Sequence, residues 1–180
     1  MAALGIDRAA VLPSLIRQLG IGGLAGIALI IFQELIPRAV KETLIFWRLR
    51  DRAPGHRAFS KIAKRDPRVD PTELAVLLPT HPMSGAEQNS LWYRWLKSVE
   101  SDPAIADNHH RLLALRESSV LLVLLGVTSL VGGPFLFGSL RKVLLLAVPC
   151  FGFYVLTAIA ARNAANRLVG NVIARKVATS

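Results

Sequence analysis

Residues 118–140 read SSVLLVLLGVTSLVGGPFLFGSL, without one charged side chain. At about 1.5 Å of rise per residue, a helix of this length crosses a hydrocarbon core of roughly 30 Å. Gly132-Gly133-Pro134 lies inside the stretch and predicts a bend or an early end. Arg141 and Lys142 separate it from VLLLAVPCFGFYVLTAIAA, residues 143–161, which is also uncharged. Pro149 is compatible with a membrane helix, because neighbouring groups can satisfy the carbonyl it frees. Together the two runs predict a tight transmembrane hairpin. The alternative is a pair of buried helices in a soluble core, but soluble domains rarely carry two adjacent charge-free runs of this length.

Composition agrees. Of 180 residues, 52% are hydrophobic and only 19% charged, and the mean hydropathy is +0.43, more apolar than an ordinary soluble domain. The 22 Lys and Arg outnumber the 12 Asp and Glu, for a formal charge of +10. Such a balance suits either nucleic acid or anionic lipid head groups. The apolar excess favours lipid, and no nucleic-acid recognition motif is present. The single cysteine, Cys150, excludes an internal disulfide and a cysteine-built zinc site. Within its apolar run it reads as a small buried hydrophobe.

The opening third is less decided. Residues 1–18 read as an N-terminal segment of the mature chain, because the apolar stretch after Arg8 and Arg17 ends in Phe32-Gln33-Glu34 rather than in a small-residue cleavage signal. Residues 19–36 make a marginal first span, with a re-entrant or surface-bound segment as the alternative. Glu34 lies three residues before Pro37, where it can snorkel to the interface and pair with Arg38 at i+4. Gly22 and Gly26 have the spacing that lets membrane helices approach closely. Residues 37–52 then turn amphipathic, with Val40, Leu44 and Trp47 at helical spacing among Arg38, Lys41, Arg48, Arg50 and Arg52. That pattern predicts an interfacial helix in the head-group layer.

Residues 53–117 read as a basic helical domain between the spans. Asp70-Pro71-Thr72-Glu73 and Ser84-Gly85-Ala86-Glu87 are helix starts with a capping residue and an acid at N3, and Asp102-Pro103 is a third start. In QNSLWYRWLKSVE, Leu91, Trp92, Trp95, Leu96 and Val99 share one face. Trp47, Trp92 and Trp95 are therefore expected to pack on the membrane, on the interfacial helix or on a partner. No strand signal stands out. The expected fold is all-α: an integral membrane protein with two to three transmembrane helices and a small helical cytoplasmic domain.

Cation counts predict the orientation. Residues 38–117 hold 14 Lys and Arg and residues 162–180 hold 4, against 2 each for the N-terminus and the hairpin loop. The positive-inside rule thus puts the central domain and the basic tail, residues 162–180, on the cytoplasmic side of the inner membrane. With three spans the N-terminus lies outside, and with two it lies inside.

Candidate chemistry is sparse. His109 and His110 are adjacent and cannot both address one metal from a regular helix, so no metal site is expected and they remain weak acid–base candidates. No phosphate-loop, dinucleotide or nucleophile-elbow motif appears, so no cofactor is expected. Arg57, Lys61, Lys64, Arg65 and Arg68 could bind phosphate from lipid head groups or from a nucleotide. The expected function is a non-enzymatic membrane module. Its basic domain takes a cytosolic protein or phosphate-bearing ligand, and its spans form a homo-oligomer; a membrane-permeabilising effector in a stress or defence system is one form of it. The alternative is a membrane enzyme acting on a lipid or isoprenoid phosphate, with His109 or His110 as acid–base.

Overall fold

The computed structural model describes residues 23 and 26–179. Among these every regular element is helical. The chain divides into two units, residues 1–36 and 37–180. In the first, α1 is the short apolar helix Gly26–Leu35. Gly22 lies outside the described residues, and a Cβ added at Gly26 would meet nothing within 4 Å.

The second unit is built on an antiparallel hairpin of two long helices, α5 (Pro103–Phe137) and α6 (Leu140–Val177). Gly138 makes the turn in the left-handed region at φ 60°, and its N–H donates to the Pro134 carbonyl at 3.1 Å. That is the conformation glycine adopts without steric cost at a helix end. Both helices run on through their internal prolines, Pro134 and Pro149. Small residues line the seam. Gly126 lies against the ring of Phe151 and Gly133 against Val143, while Val143, Ala147, Ala158 and Ala161 are buried. The Ser119 hydroxyl lies within hydrogen-bond distance of the Leu115 carbonyl (2.7 Å) and of Thr157 Oγ1 (3.0 Å), and its single proton serves one of them at a time.

The 35 and 38 residues of these helices correspond to about 52 and 57 Å, far more than a bilayer core needs. The surplus carries a cap. Beyond Ala165, the buried side of α6 changes from alanine to Leu168, Val169, Val172 and Ile173, and these form one core with Ala58, Phe59, Ala63, Trp95, Leu96 and Ile105. The cap elements are α3 (Pro71–Leu77), α4 (Gly85–Val99) and a helical segment from Pro54 to Arg65. Asp70 and Asp102 cap α3 and α5, and Ser84 with Glu87 forms a full capping box on α4, each supplying orphan N–H groups with an acceptor.

The amphipathic run after Pro37 forms α2 (Arg38–Phe46), which ends where Trp47 adopts the left-handed region at φ 50°. Lys41 ties it to α5 through a 2.9 Å ion pair with Glu117.

Candidate functional site

The segment Pro54–Arg65 is a succession of a 3₁₀ turn, one π turn and a second 3₁₀ turn. Such irregular backbone leaves amide groups without in-helix partners, and Gln88 of α4 supplies them. Its side-chain oxygen accepts from the N–H groups of Phe59 (3.2 Å) and Ser60 (3.0 Å), and its amide donates to the Met83 carbonyl at 3.3 Å. Phe59 meets Trp95 edge to face, with centroids 4.9 Å apart. These contacts fix the inner side of the segment, so its cations stand on the outer side.

There they line an open groove of ≈ 620 Å³ bordered by Arg48, Arg57, Lys61, Arg65 and Arg68, with Asn166, Arg167 and Gly170 of α6. Four of the five residues expected to hold phosphate are thus brought together. Lys64, exposed on the same segment, is not among the lining residues. Arg48 and Arg167 join the set from elements distant in sequence.

One carboxylate, Asp66, lies among the lining residues. It receives Nη2 of Arg68 at 2.7 Å and Nε at 2.9 Å, together with the Arg68 backbone N–H at 3.1 Å. Those hydrogen bonds hold the Asp66 carboxyl below its ordinary range and Arg68 above its own. Arg57 donates to the Asp51 carbonyl at 2.9 Å. Burial, then repulsion from Arg48, lowers its pKa against the opposing pull of Asp51. Crowded, partly desolvated guanidinium groups of this kind gain from an anion between them, and their planar forks match phosphate oxygens.

The histidines lie elsewhere. His109 is half-buried and lines a separate cavity of ≈ 120 Å³ between α2, α4, α5 and α6. Burial, reinforced by His110, Lys97 and Arg116, lowers its pKa. His110 is exposed. The acid–base candidate and the phosphate clamp therefore do not share a cavity. Among the described residues no group of three or more His, Cys, Asp or Glu could hold a metal.

The tryptophans separate as well. Trp95 is only 7% exposed, inside the cap core, so it is not a surface anchor. Trp92 is half-buried beside the His109 cavity. Trp47 is 50% exposed, and its indole N–H donates to the Tyr154 hydroxyl at 3.0 Å. No protein-family model, no curated protein and no solved structure matches this chain.

Proposed function

We propose that the protein is a membrane-anchored, non-enzymatic receptor for a phosphate-bearing ligand. The α5–α6 hairpin spans the inner membrane, and the cap holds the ligand in its basic groove on the cytoplasmic side. The carrying observation is the convergence of Arg48, Arg57, Lys61, Arg65, Arg68 and Arg167 on one groove whose carboxylate is already engaged by Arg68.

The anchor rests on which surfaces are covered. In the most apolar 18-residue window of each long helix only 22% is buried, whereas a core helix of a soluble domain is mostly buried. Val131, Phe135, Leu145, Val148, Phe153 and Leu156 face outward, making a far larger apolar surface than a soluble monomer exposes. Trp47, Tyr154 and Arg162 gather where this surface gives way to the polar cap, the residue types that favour head groups.

Isothermal titration of the protein in zwitterionic nanodiscs with pyrophosphate tests the groove. Saturable binding should weaken with rising salt and fall at least tenfold in an Arg57→Ala/Arg167→Ala double variant. Binding unchanged by those substitutions refutes the assignment. For the anchor, a Cys150→Ser chain with one new cysteine at Ser139 or at Asn163 is treated with an impermeant maleimide. The Ser139 position should react only from the side opposite the cap. Self-association through α1 predicts a smaller particle for Gly26→Leu.

A further inference from the structure

The basic groove begins at the level where the apolar surface of the hairpin ends. Arg162, stacked on Trp47 at that level, is followed on the same face of α6 by Asn166 and Gly170, and both of these line the groove. They stand about 6 and 12 Å further along the helix, whereas a head-group layer is roughly 5–7 Å deep. Arg48 of the groove wall directly follows Trp47, and its neighbour Leu49 is 78% exposed, an apolar side chain suited to the acyl boundary. At the far end Gly170 makes room for the Asp66–Arg68 pair, since a Cβ there would lie 2.8 Å from Oδ2 of Asp66. The groove therefore starts in the head-group layer and rises out of it.

We propose that the ligand of this groove is a lipid that ends in a diphosphate, its apolar chain in the adjoining leaflet and its two phosphates in series along the groove; this rests on the groove being a phosphate site at the membrane surface. Charge and depth both favour that head group. Arg48, Arg57, Lys61, Arg65, Arg68 and Arg167 line the groove, against Asp66 in the wall and Asp51 beside Arg57. Four positive charges remain after both acids are counted. A phosphodiester lipid ionises once at its phosphate, whereas a terminal phosphate ionises again with a pKa of about 6, and a diphosphate adds the charge of its inner phosphate. A phosphodiester also stops within the head-group layer, leaving the far end at Arg68 unserved. Basic pockets beside membrane helices on this side are suited to phosphate head groups, and arginine forks match their oxygens.

Native mass spectrometry of the full chain released from zwitterionic nanodiscs tests the lipid. The discs carry geranylgeranyl diphosphate or, at equal negative charge, phosphatidylglycerol. The diphosphate lipid should be retained several-fold more than phosphatidylglycerol, and it should suppress pyrophosphate binding to the discs more strongly. Arg65→Ala/Arg167→Ala, at two exposed lining positions, should lower its retention about tenfold. Arg50→Ala/Lys64→Ala removes the same charge from exposed positions outside the lining and should leave retention unchanged. Equal retention of the two lipids by the unaltered protein overturns the proposal, and that comparison depends on no variant folding correctly. Equal loss in the two double variants also overturns it, in favour of diffuse attraction. Pyrophosphate binding without retention of the diphosphate lipid overturns it while leaving the groove as a site for a soluble phosphate. Failure of both ligands to bind removes the groove reading, and the proposal with it.

Discussion

The guanidinium carbon of Arg162 lies 3.4 Å from the centroid of the Trp47 ring, while its Nε donates to the Ile45 carbonyl at 2.5 Å. One side chain of α6 thereby holds both the last turn of α2 and the residue that ends it. Tyr154 completes the clasp by donating to the Leu44 carbonyl at 2.8 Å and accepting from the Trp47 indole. Carbonyls at a helix C-terminus lack in-helix partners and carry partial negative charge, so a cation is well placed there.

Replacing that cation with a smaller one tests the clasp. Arg162→Lys keeps the charge but loses the planar face that stacks on Trp47 and the fixed fork that reaches Ile45. The expected loss is about 2 kcal/mol, from a charge-assisted hydrogen bond and a cation–π contact together. This corresponds to roughly 5 °C in Tm for a chain of this size, measurable by thermal melting in detergent. A change below 1 °C would mean that α2 is held by Tyr154 and by the Lys41–Glu117 pair without a measurable share from Arg162.

The basic groove makes a second prediction through Asp66. Asp66→Asn keeps an oxygen to accept the Arg68 backbone N–H but removes the negative charge bordering the groove. Pyrophosphate should then bind about fivefold more tightly, which is the effect of one charge at roughly 1 kcal/mol of screened interaction. The same variant should lose acid-dependent stability. Because the folded Asp66 carboxyl titrates below its ordinary range, its contribution is present above that range and disappears as pH falls through the folded value. Weaker binding by Asp66→Asn would mean that this carboxylate shapes the groove more than it repels the ligand.

How legible these features were depended on whether the physics was local. Asp70, Ser84 with Glu87, and Asp102 announced three helix starts, because a capping side chain and the backbone N–H that donates to it lie within three residues. The charge-free runs announced two long helices for the same reason. α5 begins at the start that Asp102-Pro103 announced and runs on into the first charge-free run, and α6 carries on through the basic tail to Val177, since polar turns propagate a helix once packing supports them. Leu168, Val172 and Ile173 lie in what the sequence presents as a basic tail, and the apolar face of α4 was expected on the membrane, on the interfacial helix or on a partner. Each is the other's partner through Trp95 and Leu96, a pairing between elements about 75 residues apart that no local pattern encodes. Arg48 and Arg167 escaped the candidate set for that reason too. The left-handed Trp47, which ends α2 at Phe46, carries no glycine to signal it.

His109 makes the cap sensitive to mild acid. Burial lowers its pKa in the fold, whereas in the unfolded chain it titrates near the ordinary value of about 6.5. Below that value the unfolded state binds the proton more readily, so stability falls as pH drops and levels off only beneath the folded pKa. Chemical denaturation between pH 7 and pH 5 should show this decline, and His109→Gln should flatten it. A decline of equal size in the variant would assign the sensitivity to other groups.

The seam of the hairpin yields a test in two neighbouring glycines. By helix propensity alone, alanine is favoured over glycine by about 1 kcal/mol at either position. At Gly132 a Cβ would meet nothing within 4 Å, so Gly132→Ala should be neutral or stabilising. At Gly133 the same atom would lie 2.8 Å from Cγ2 of Val143 and 3.3 Å from its Cγ1. Val143 is β-branched, stiff about χ1 and itself 1% exposed, so it cannot swing aside without moving backbone. Overpacking of this kind costs about 1–3 kcal/mol, which outweighs the propensity gain. Gly133→Ala should therefore lower the melting temperature while Gly132→Ala does not. Equal effects at the two sites would mean that α5 and α6 do not meet closely at this level.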